Sequence, residues 1–496
     1  MKFNRKSALV VTFTIVITLM VCFSLLFSSK PPADNLKQQT FAALQQTRNA
    51  KKQEVVDYFS QIRMDVESIK DDQKMRRFFD QLQKGSDQNI EYAVDIHYVL
   101  EYSEFYDILF VDEGGFVFHS IKKEDDNQTN LLTSNLNPKL TRALQASEDE
   151  QFAEFTYYGP SGEPAAFFAV SLEENETHLG WFVLQCAANN VNAILTDRKD
   201  LGRTGEVYLV NQDKLMLTDS RFVEDSTILR QEVDTLAVRE AFRVASGNKI
   251  IEDYRGVKVF SSYEKFDLFG STWVIIAEID ESEVLTEYYR KHKAYFDAEI
   301  VRYLSEQTSQ RGKAHYLQRK ERRIDIKEFD KVERSQTFVL TTKGVATCTA
   351  VAIVYPDKFG YLAHLSPSDA VYQQRSLIQT LMRERQPGML DEIVRRITRY
   401  DIYMHELEKL EFVIVAPHHK SFAGIMETLL AYNIDLANVR FGYNPAARSA
   451  NISLSVNDNF CQVDWNGASS TLSEQVLLRD DLSTILKQII RYDSMS

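Results

Sequence analysis

The chain has 496 residues, 44% of them hydrophobic and 11% aromatic, and a formal net charge of −13. This length exceeds one ordinary hydrophobic core, and the composition excludes a disordered tether. The negative charge argues against a nucleic-acid partner, because no broad basic face is available for phosphates. The four cysteines, Cys22, Cys186, Cys348 and Cys461, form no CxxC pair. The sequence therefore predicts no metal site and no cofactor, while one disulfide among the last three cysteines stays open.

The first predicted element is Ala8–Phe27, a run of twenty uncharged residues. At about 1.5 Å per residue, this length crosses a bilayer core of about 30 Å. Lys2, Arg5 and Lys6 precede the run, which favours a cytoplasmic N-terminus. The alternative is a cleaved signal peptide, whose apolar region is usually only about 7–15 residues long. We therefore predict a single-pass protein of the bacterial inner membrane, with residues 1–30 as cytoplasmic stub and anchor and the remainder periplasmic or extracellular.

A long amphipathic stalk helix is predicted from about Leu36 to Leu82, because apolar residues recur there at helical spacing. These residues are Phe41, Leu44, Val55, Phe59, Ile62, Val66 and Ile69. The apolar seam is not a strict heptad repeat, so pairing of the stalk in a homodimer stays open.

Two related groups of strands follow the stalk. The first contains a hairpin at Tyr106–Ser120 and further strands at Ala165–Leu172 and Gly180–Ala188. The second starts at Leu201–Phe222, where a strand, a polar turn and a second strand are predicted. It closes with strands at Lys258–Phe266 and Ser271–Ile279. One such group per roughly 100 residues, appearing twice, implies two α/β modules in tandem.

The motifs YDILFVDEGGFVFHSIKKEDDNQTNL, LGRTGEVYLVNQDKLMLTDSRF and WVIIAEID resemble the double Cache sensor domains of bacterial receptors over about residues 36–280. The resemblance implies a stalk with a membrane-distal PAS-like module (residues 31–195), then a membrane-proximal module (residues 196–285). In such sensors a small-molecule ligand sits in the distal module. The ligand-binding residues that the resemblance implies are four aromatic residues and one aspartate: Tyr106, Asp107, Tyr157, Tyr158 and Phe168. The alternative is that these aromatic residues only build the core.

Residues 286–335 are predicted to form a helical linker, whose many charges prevent it from spanning the hydrocarbon core of a membrane. The weakly charged run Thr337–Pro356 contains Lys343 and Gly344, and its β-branched residues favour two buried strands around a turn. The sequence thus predicts no second membrane crossing.

Residues 336–496 are predicted to form a third, α/β sandwich domain, so the fold class of the whole chain is α/β (α+β). Strands Phe338–Thr341 and Thr349–Tyr355 flank Cys348, and strand Gly360–Pro367 carries His364. Helices are predicted at Asp369–Arg385, Gly388–Tyr400 and Ser473–Tyr492, among others.

The stretch TTKGVATCTAVAIVYPDKFGYLAHLSP resembles the core of CheD-type chemoreceptor glutamine deamidases over about residues 335–470. The resemblance implies that Cys348 is the nucleophile, His364 the base and Thr342 the third catalytic residue. Such chemistry needs a thiol near an imidazole, and backbone N–H groups around Gly344–Cys348 to hold an oxyanion. The turn at Pro356–Gly360 would set two antiparallel strands side by side. The alternative is a small buried cysteine and a histidine that caps a loop.

Three functional hypotheses follow from these features. The first is an exported cysteine deamidase, governed by ligand binding in the tandem sensor, that acts on glutamine side chains of a protein substrate. The second is a non-enzymatic sensor whose CheD-like domain is an interaction module for a partner membrane protein or chemoreceptor. The third is a conventional chemotaxis receptor with a cytoplasmic deamidase, which requires a second crossing.

Overall fold

The computed structural model describes residues 34–83, 105–146, 150–174, 177–199, 201–307, 320–367, 388–416, 420–467 and 470–491. The predicted anchor Ala8–Phe27 and the predicted helix Asp369–Arg385 lie outside these ranges. The described residues form two compact units, one within Gln38–Glu281 and one within Ser282–Ser496.

The predicted stalk is helical, but it consists of two helices, Asp34–Asp71 and Gln73–Gln83. Val55, Phe59 and other apolar residues of the first helix are buried at helical spacing, as predicted. The continuous helix predicted to Leu82 was wrong at Asp72. The Asp72 carboxylate accepts a hydrogen bond of 2.6 Å from the N–H of Lys74, so it caps the second helix and ends the first.

In the first unit, a five-stranded sheet with the order β2-β1-β5-β4-β3, here called the distal sheet, follows the two helices. Its strands are β1 Asp107–Asp112, β2 Val117–Ser120, β3 Glu150–Tyr158, β4 Glu163–Glu174 and β5 Thr177–Ala187. The helix Pro138–Leu144 packs on one face of this sheet. Asn137 starts that helix, because its side chain accepts hydrogen bonds from the N–H groups of Lys139 and Leu140.

Gly180 lies on β5 where this strand pairs closely with β1, at a positive φ of 141°. A Cβ atom at this position would lie 2.1 Å from the carbonyl oxygen of Val111. Gly180→Ala is therefore expected to destabilise the first unit by about 2 kcal/mol or more. The measurement is urea unfolding of the full chain. Gly159→Ala, whose Cβ would contact nothing, is the control and should change the free energy of unfolding by less than about 0.5 kcal/mol.

A second sheet in the same unit, here called the proximal sheet, has four strands in the order β6-β9-β8-β7. Its strands are β6 Glu206–Val210, β7 Ser246–Glu252, β8 Lys258–Leu268 and β9 Ser271–Asp280, and the helix Leu236–Val244 packs against them. The second strand predicted after the turn at Asn211–Lys214 is not formed. That segment makes only single bridges, from Met216 to Val210 and from Leu215 to Glu232, so it does not pair continuously with one neighbour.

The second unit starts with helices Glu281–Lys291 and Lys293–Glu306 and continues as two five-stranded sheets. The sheets have the orders β10-β12-β17-β18-β19 and β11-β14-β13-β15-β16. The strands are β10 Glu321–Arg323, β11 Phe329–Glu333, β12 Val339–Val345, β13 Thr349–Tyr355, β14 Phe359–Leu365, β15 Glu411–Ala416, β16 Val439–Tyr443, β17 Ser449–Ser455, β18 Phe460–Asn466 and β19 Thr471–Gln475. Apolar side chains of both sheets form one core between them, as in a sandwich.

In the described parts of this unit, further helices are Met389–Tyr400, Lys420–Ala431 and Leu482–Ile490. Short 3₁₀ turns lie at Met404–Lys409, Leu436–Asn438 and Val476–Leu478. The final helix predicted from Ser473 was wrong at its start. Ser473 lies in β19, which pairs with β18, and the helix begins only after Asp481, whose carboxylate accepts a hydrogen bond from the N–H of Thr484. The prediction also missed strands β10 and β11 in the charged linker.

Candidate functional site

Asp107, one of the predicted ligand residues, is buried at the start of β1. Its carboxylate accepts hydrogen bonds from Ser120 Oγ (2.6 Å) and from the N–H groups of Ile108 (2.7 Å) and Lys122 (3.0 Å). Both oxygens are therefore engaged in holding β1 to the end of β2. Burial raises the pKa of Asp107, and these hydrogen bonds oppose that rise.

Two phenol groups beside Asp107 donate to carboxylates of the segment that follows β2. The hydroxyl of Tyr106 donates to Glu124 Oε1 (2.6 Å), and that of Tyr158 donates to Asp126 Oδ2 (2.8 Å). In each carboxylate the other oxygen, Glu124 Oε2 or Asp126 Oδ1, is buried without a hydrogen-bond partner. The side-chain amide oxygen of Gln185, Oε1, is a third buried acceptor without a partner. We call Tyr106, Glu124, Asp126, Tyr158 and Gln185 the acidic cluster.

Burial has the largest effect on the carboxyl group of Asp126 in the acidic cluster. It raises the pKa of Asp126 to about 6, and the neighbouring carboxylates of Asp107 and Glu124 act in the same direction. The hydrogen bond to Glu124 is the main reason that the pKa of Tyr106 rises to about 12. The cluster is therefore rich in hydrogen-bond acceptors and negative charge, and it is chemically suited to a positively charged group that carries N–H donors.

The structure does not bring the other two predicted ligand residues into this cluster. Tyr157 is 60% exposed. Phe168 is buried with Phe152 and Phe269, with ring centroids 5.0 and 5.5 Å away. Its neighbour Phe167 instead contacts Tyr158, so Phe168 lies on the opposite face of β4. The prediction missed Glu124 and Asp126, although the acidic run after the first hairpin was a usable signal.

In the second unit, Thr342 and His364 form a buried hydrogen-bonded pair that joins the two sheets. Thr342 Oγ1 lies 2.7 Å from His364 Nδ1 and 2.9 Å from the carbonyl oxygen of Ile324. That carbonyl can only accept, so the threonine hydroxyl donates to it and accepts from His364 Nδ1–H. This arrangement assigns the proton to Nδ1 and leaves Nε2 as a lone-pair base. His364 Nε2 is buried and has no hydrogen-bond partner.

Cys348 immediately precedes β13, and β13 pairs with β14 in an antiparallel register that sets Ala350 opposite His364. Alternate residues of a strand share a face, so Cys348 and His364 lie on the same face as diagonal neighbours across the two strands. The Cα atoms of such neighbours are typically about 7–8 Å apart. Cys348 is 8% exposed and belongs to the core between the sheets. The predicted antiparallel arrangement of the two strands is confirmed.

Burial sets the protonation states of His364 and of Cys461, the other cysteine of the second unit. Burial lowers the pKa of His364, so the imidazole is neutral at pH 7. Burial raises the pKa of the Cys461 thiol to about 12, which keeps that thiol unreactive. Among the described cysteines, Cys186, Cys348 and Cys461, no disulfide is formed.

A groove of about 390 Å³ in the first unit lies apart from the acidic cluster. Its lining comes from the helix Pro138–Leu144, from β3 and from turns of the proximal sheet, and it includes Lys139, Arg142 and Asp213. None of the five predicted ligand residues lines this groove.

Residues 33–288, just over half of the chain, match the Cache-domain family dCache_1. The chain belongs to the dCache_1 family. Its Cache region is thus a sensor domain, as the resemblance implied. No curated protein matches this dCache_1 chain significantly.

Solved structures similar to part of this chain include sensor domains of bacterial receptors. The ligand-binding domain of the Pseudomonas aeruginosa PAO1 amino acid chemoreceptor PctC, in complex with GABA, is 19% identical with a TM-score of 0.33, over 49% of this chain and 100% of that domain. The periplasmic sensory domain of the Campylobacter jejuni chemoreceptor Tlp1 is 13% identical with a TM-score of 0.37, over 50% of this chain and 98% of that domain.

An extracellular ligand binding receptor from Desulfohalobium retbaense is 13% identical with a TM-score of 0.35, over 47% of this chain. The dCache_1 chain spans only 39% of the length of that receptor. In the described parts of the chain, no helix combines the length and apolar character needed to cross a membrane. Within those same parts, no three histidine, cysteine, aspartate or glutamate side chains are arranged to hold a metal ion.

Proposed function

We propose that this dCache_1 protein is a membrane-anchored, exported sensor whose distal module binds a small organic cation at the acidic cluster. The observation that carries the proposal is the set of buried acceptors without partners, Glu124 Oε2, Asp126 Oδ1 and Gln185 Oε1. A buried acceptor that lacks a donor costs about 1–3 kcal/mol, and more when it is charged. An ammonium group supplies three N–H donors and one positive charge, so it can pair with the free acceptors and also neutralise the buried negative charge.

The diamine putrescine is a suitable probe, because 1,4-butanediol has the same length and no charge. Putrescine is expected to raise the melting temperature of the full chain at pH 7.5, and butanediol is not. Glu124→Gln and Asp126→Asn should each weaken putrescine binding at least about tenfold, since each removes a desolvated charge. Binding should also weaken as the pH falls below about 6, where Asp126 takes up a proton.

Asp125→Asn is the matched control, because Asp125 lies between the two carboxylates in sequence but is exposed. It should leave the affinity for putrescine unchanged. Equal responses to putrescine and butanediol would contradict the proposal. A response to Ca²⁺ or Mg²⁺ in place of putrescine would identify the ligand as a metal ion and would equally overturn it.

A second function is favoured by the Thr342–His364 pair, and we propose that the second unit is a CheD-like, cysteine-dependent deamidase of protein glutamine side chains. Its oriented, neutral imidazole is the base that such chemistry requires. His364 Nε2 takes the thiol proton of Cys348, and the thiolate attacks the carboxamide carbon. The protonated imidazole then donates to the leaving ammonia. Water cleaves the thioester, so that glutamine and water give glutamate and ammonia.

Part of the predicted oxyanion site is already engaged. Gly344 has a φ of +72°, and its N–H donates to Asn451 Oδ1 at 2.9 Å. The oxyanion in the proposed reaction would therefore rest on later N–H groups of the turn that ends at Cys348. The alternative is an interaction module without activity. Covalent modification of Cys348 distinguishes the two, because only an enzyme needs His364 to activate that thiol.

A further inference from the structure

The proximal sheet carries two buried glutamates side by side on the face that forms its core. Glu206 of β6 is directly opposite Glu278 of β9, and Glu278 is directly opposite Ser261 of β8. Glu206 is 6% exposed and Glu278 is 1% exposed. Cross-strand partners on one face have Cβ atoms about 4.5–5.5 Å apart, so two carboxyl groups share one water-excluded location.

The two carboxyl groups differ in their hydrogen bonds. Glu206 accepts from the hydroxyl of Tyr254 (2.7 Å), from Ser220 Oγ (3.2 Å) and from the N–H of Arg221 (3.3 Å). Glu278 accepts from the hydroxyl of Tyr208, at 2.8 Å on Oε2, while its Oε1 is buried and forms no hydrogen bond. The hydroxyl of Ser261, on the strand opposite, also acts to lower the pKa of Glu278. Burial raises the pKa of Glu206 as well, but its three hydrogen bonds and the positive charge of Arg255 oppose that rise. Of the two groups, Glu206 is therefore the better carboxylate and Glu278 the better carboxylic acid.

No basic side chain neutralises Glu278 among the residues that the structure describes. Arg255, from the turn between β7 and β8, is bound to Asp253 and Asp280 at 2.6 Å each. The titratable and charged groups around Glu278 are Glu206 and Tyr208 on β6, Asp280 on its own strand, Arg221 after β6, and Asp253, Tyr254 and Arg255 on the turn. Burial raises the pKa of Glu278 to about 8, and Asp253 and Glu206 act in the same direction.

We propose that the proximal module is a sensor of alkaline pH, in which Glu278 holds a proton at neutral pH and releases it to water as the external pH rises. This input is separate from the ligand of the distal module. Ionisation of Glu278 places a second negative charge beside Glu206 at low dielectric. The repulsion is relieved when the contacts that cover the pair, from Ser220, Arg221 and Tyr254 to Glu206, open to water. The segment Thr218–Thr227 and the turn Asp253–Gly256 are therefore the elements that respond.

The test is hydrogen exchange of the full chain, read by mass spectrometry between pH 6 and 9.5 and corrected for the intrinsic pH dependence of exchange. In the wild type, opening of Thr218–Thr227 should increase by up to about tenfold per pH unit as the pH rises to about 8, and level off above it, because the open state then holds no proton that the closed state lacks. Glu278→Gln should abolish this transition. Glu206→Gln should move the midpoint of the transition to a lower pH, because it removes the negative charge beside Glu278.

Asp267→Asn is the matched control, since Asp267 lies on β8 but is exposed, and it should keep the wild-type transition. A wild-type chain without a transition would overturn the proposal, and so would a Glu278→Gln variant that keeps it. If Glu278→Gln fails to fold, Glu206→Gln still decides: an unmoved midpoint shows that the titrating group is not the partner of Glu206, and the proposal then falls.

Discussion

Alkylation of Cys348 by iodoacetamide at pH 7 is expected to be at least about tenfold faster than alkylation of Cys186 or Cys461, and His364→Ala is expected to remove that difference. Cys348 is also the most exposed of the three, so exposure alone favours it. The dependence on His364 separates activation of the thiol from simple access. Reaction should decline as the pH falls through the lowered pKa of His364, because the protonated imidazole is no longer a base.

The same site predicts effects on deamidation of a glutamine-containing protein, followed by ammonia release. Cys348→Ala should abolish the reaction, and His364→Asn should slow it about 10²–10⁴-fold. Thr342→Val should slow the reaction about 10–100-fold, because nothing then fixes the proton on His364 Nδ1. Thr342→Ser keeps a hydroxyl at this position and should retain most of the rate.

Thr341→Val is a matched control for the threonine variants. Thr341 is the adjacent residue and is equally buried, but its hydroxyl has no hydrogen-bond partner. Its loss should leave the reaction unchanged. Alkylation of Cys348 that does not respond to His364→Ala would exclude the proposed enzyme and support the interaction module. That outcome would not affect the sensor proposal, which depends on the acidic cluster.

Arg48→Ala is expected to lower the free energy of unfolding of the first unit by about 3–5 kcal/mol, measured by urea denaturation of the full chain. Arg48 lies on the helix Asp34–Asp71 and is 4% exposed. Its guanidinium donates to Ser262 Oγ (3.0 Å) and to the carbonyl oxygen of Tyr263 (2.9 Å), and it pairs with Glu264 at 3.1 Å. Truncation leaves Ser262 Oγ and the carbonyl oxygen of Tyr263 without this donor in a buried location, whereas Glu264 keeps Lys52 as its partner.

Lys52→Ala is the control, because Lys52 pairs with Glu264 at 2.6 Å but its side chain is 26% exposed. Its expected cost is only about 1 kcal/mol or less. A loss of less than about 1 kcal/mol for Arg48→Ala would show that the helix is held to β8 by apolar contacts alone.

Local patterns predicted most elements of the fold. Alternating apolar residues at Tyr106–Ser120 and Ser271–Ile279 correspond to β1, β2 and β9. The spacing of Thr342, Cys348 and His364 around a turn predicted two adjacent antiparallel strands, and the register confirms them. These features depend on side chains within a few residues of one another, where periodicity and turn chemistry decide the conformation.

The sequence by itself therefore determined the sensor family, most of the strands and the residue types of the proposed dyad. Only the tertiary structure decided which side chains meet. The carbonyl of Ile324 assigns the tautomer of His364, the segment after β2 supplies Glu124 and Asp126, and the pairing of β6 with β9 sets Glu206 beside Glu278. Each of these contacts joins residues distant in sequence, so its existence depends on strand pairing and burial, which short-range patterns do not encode.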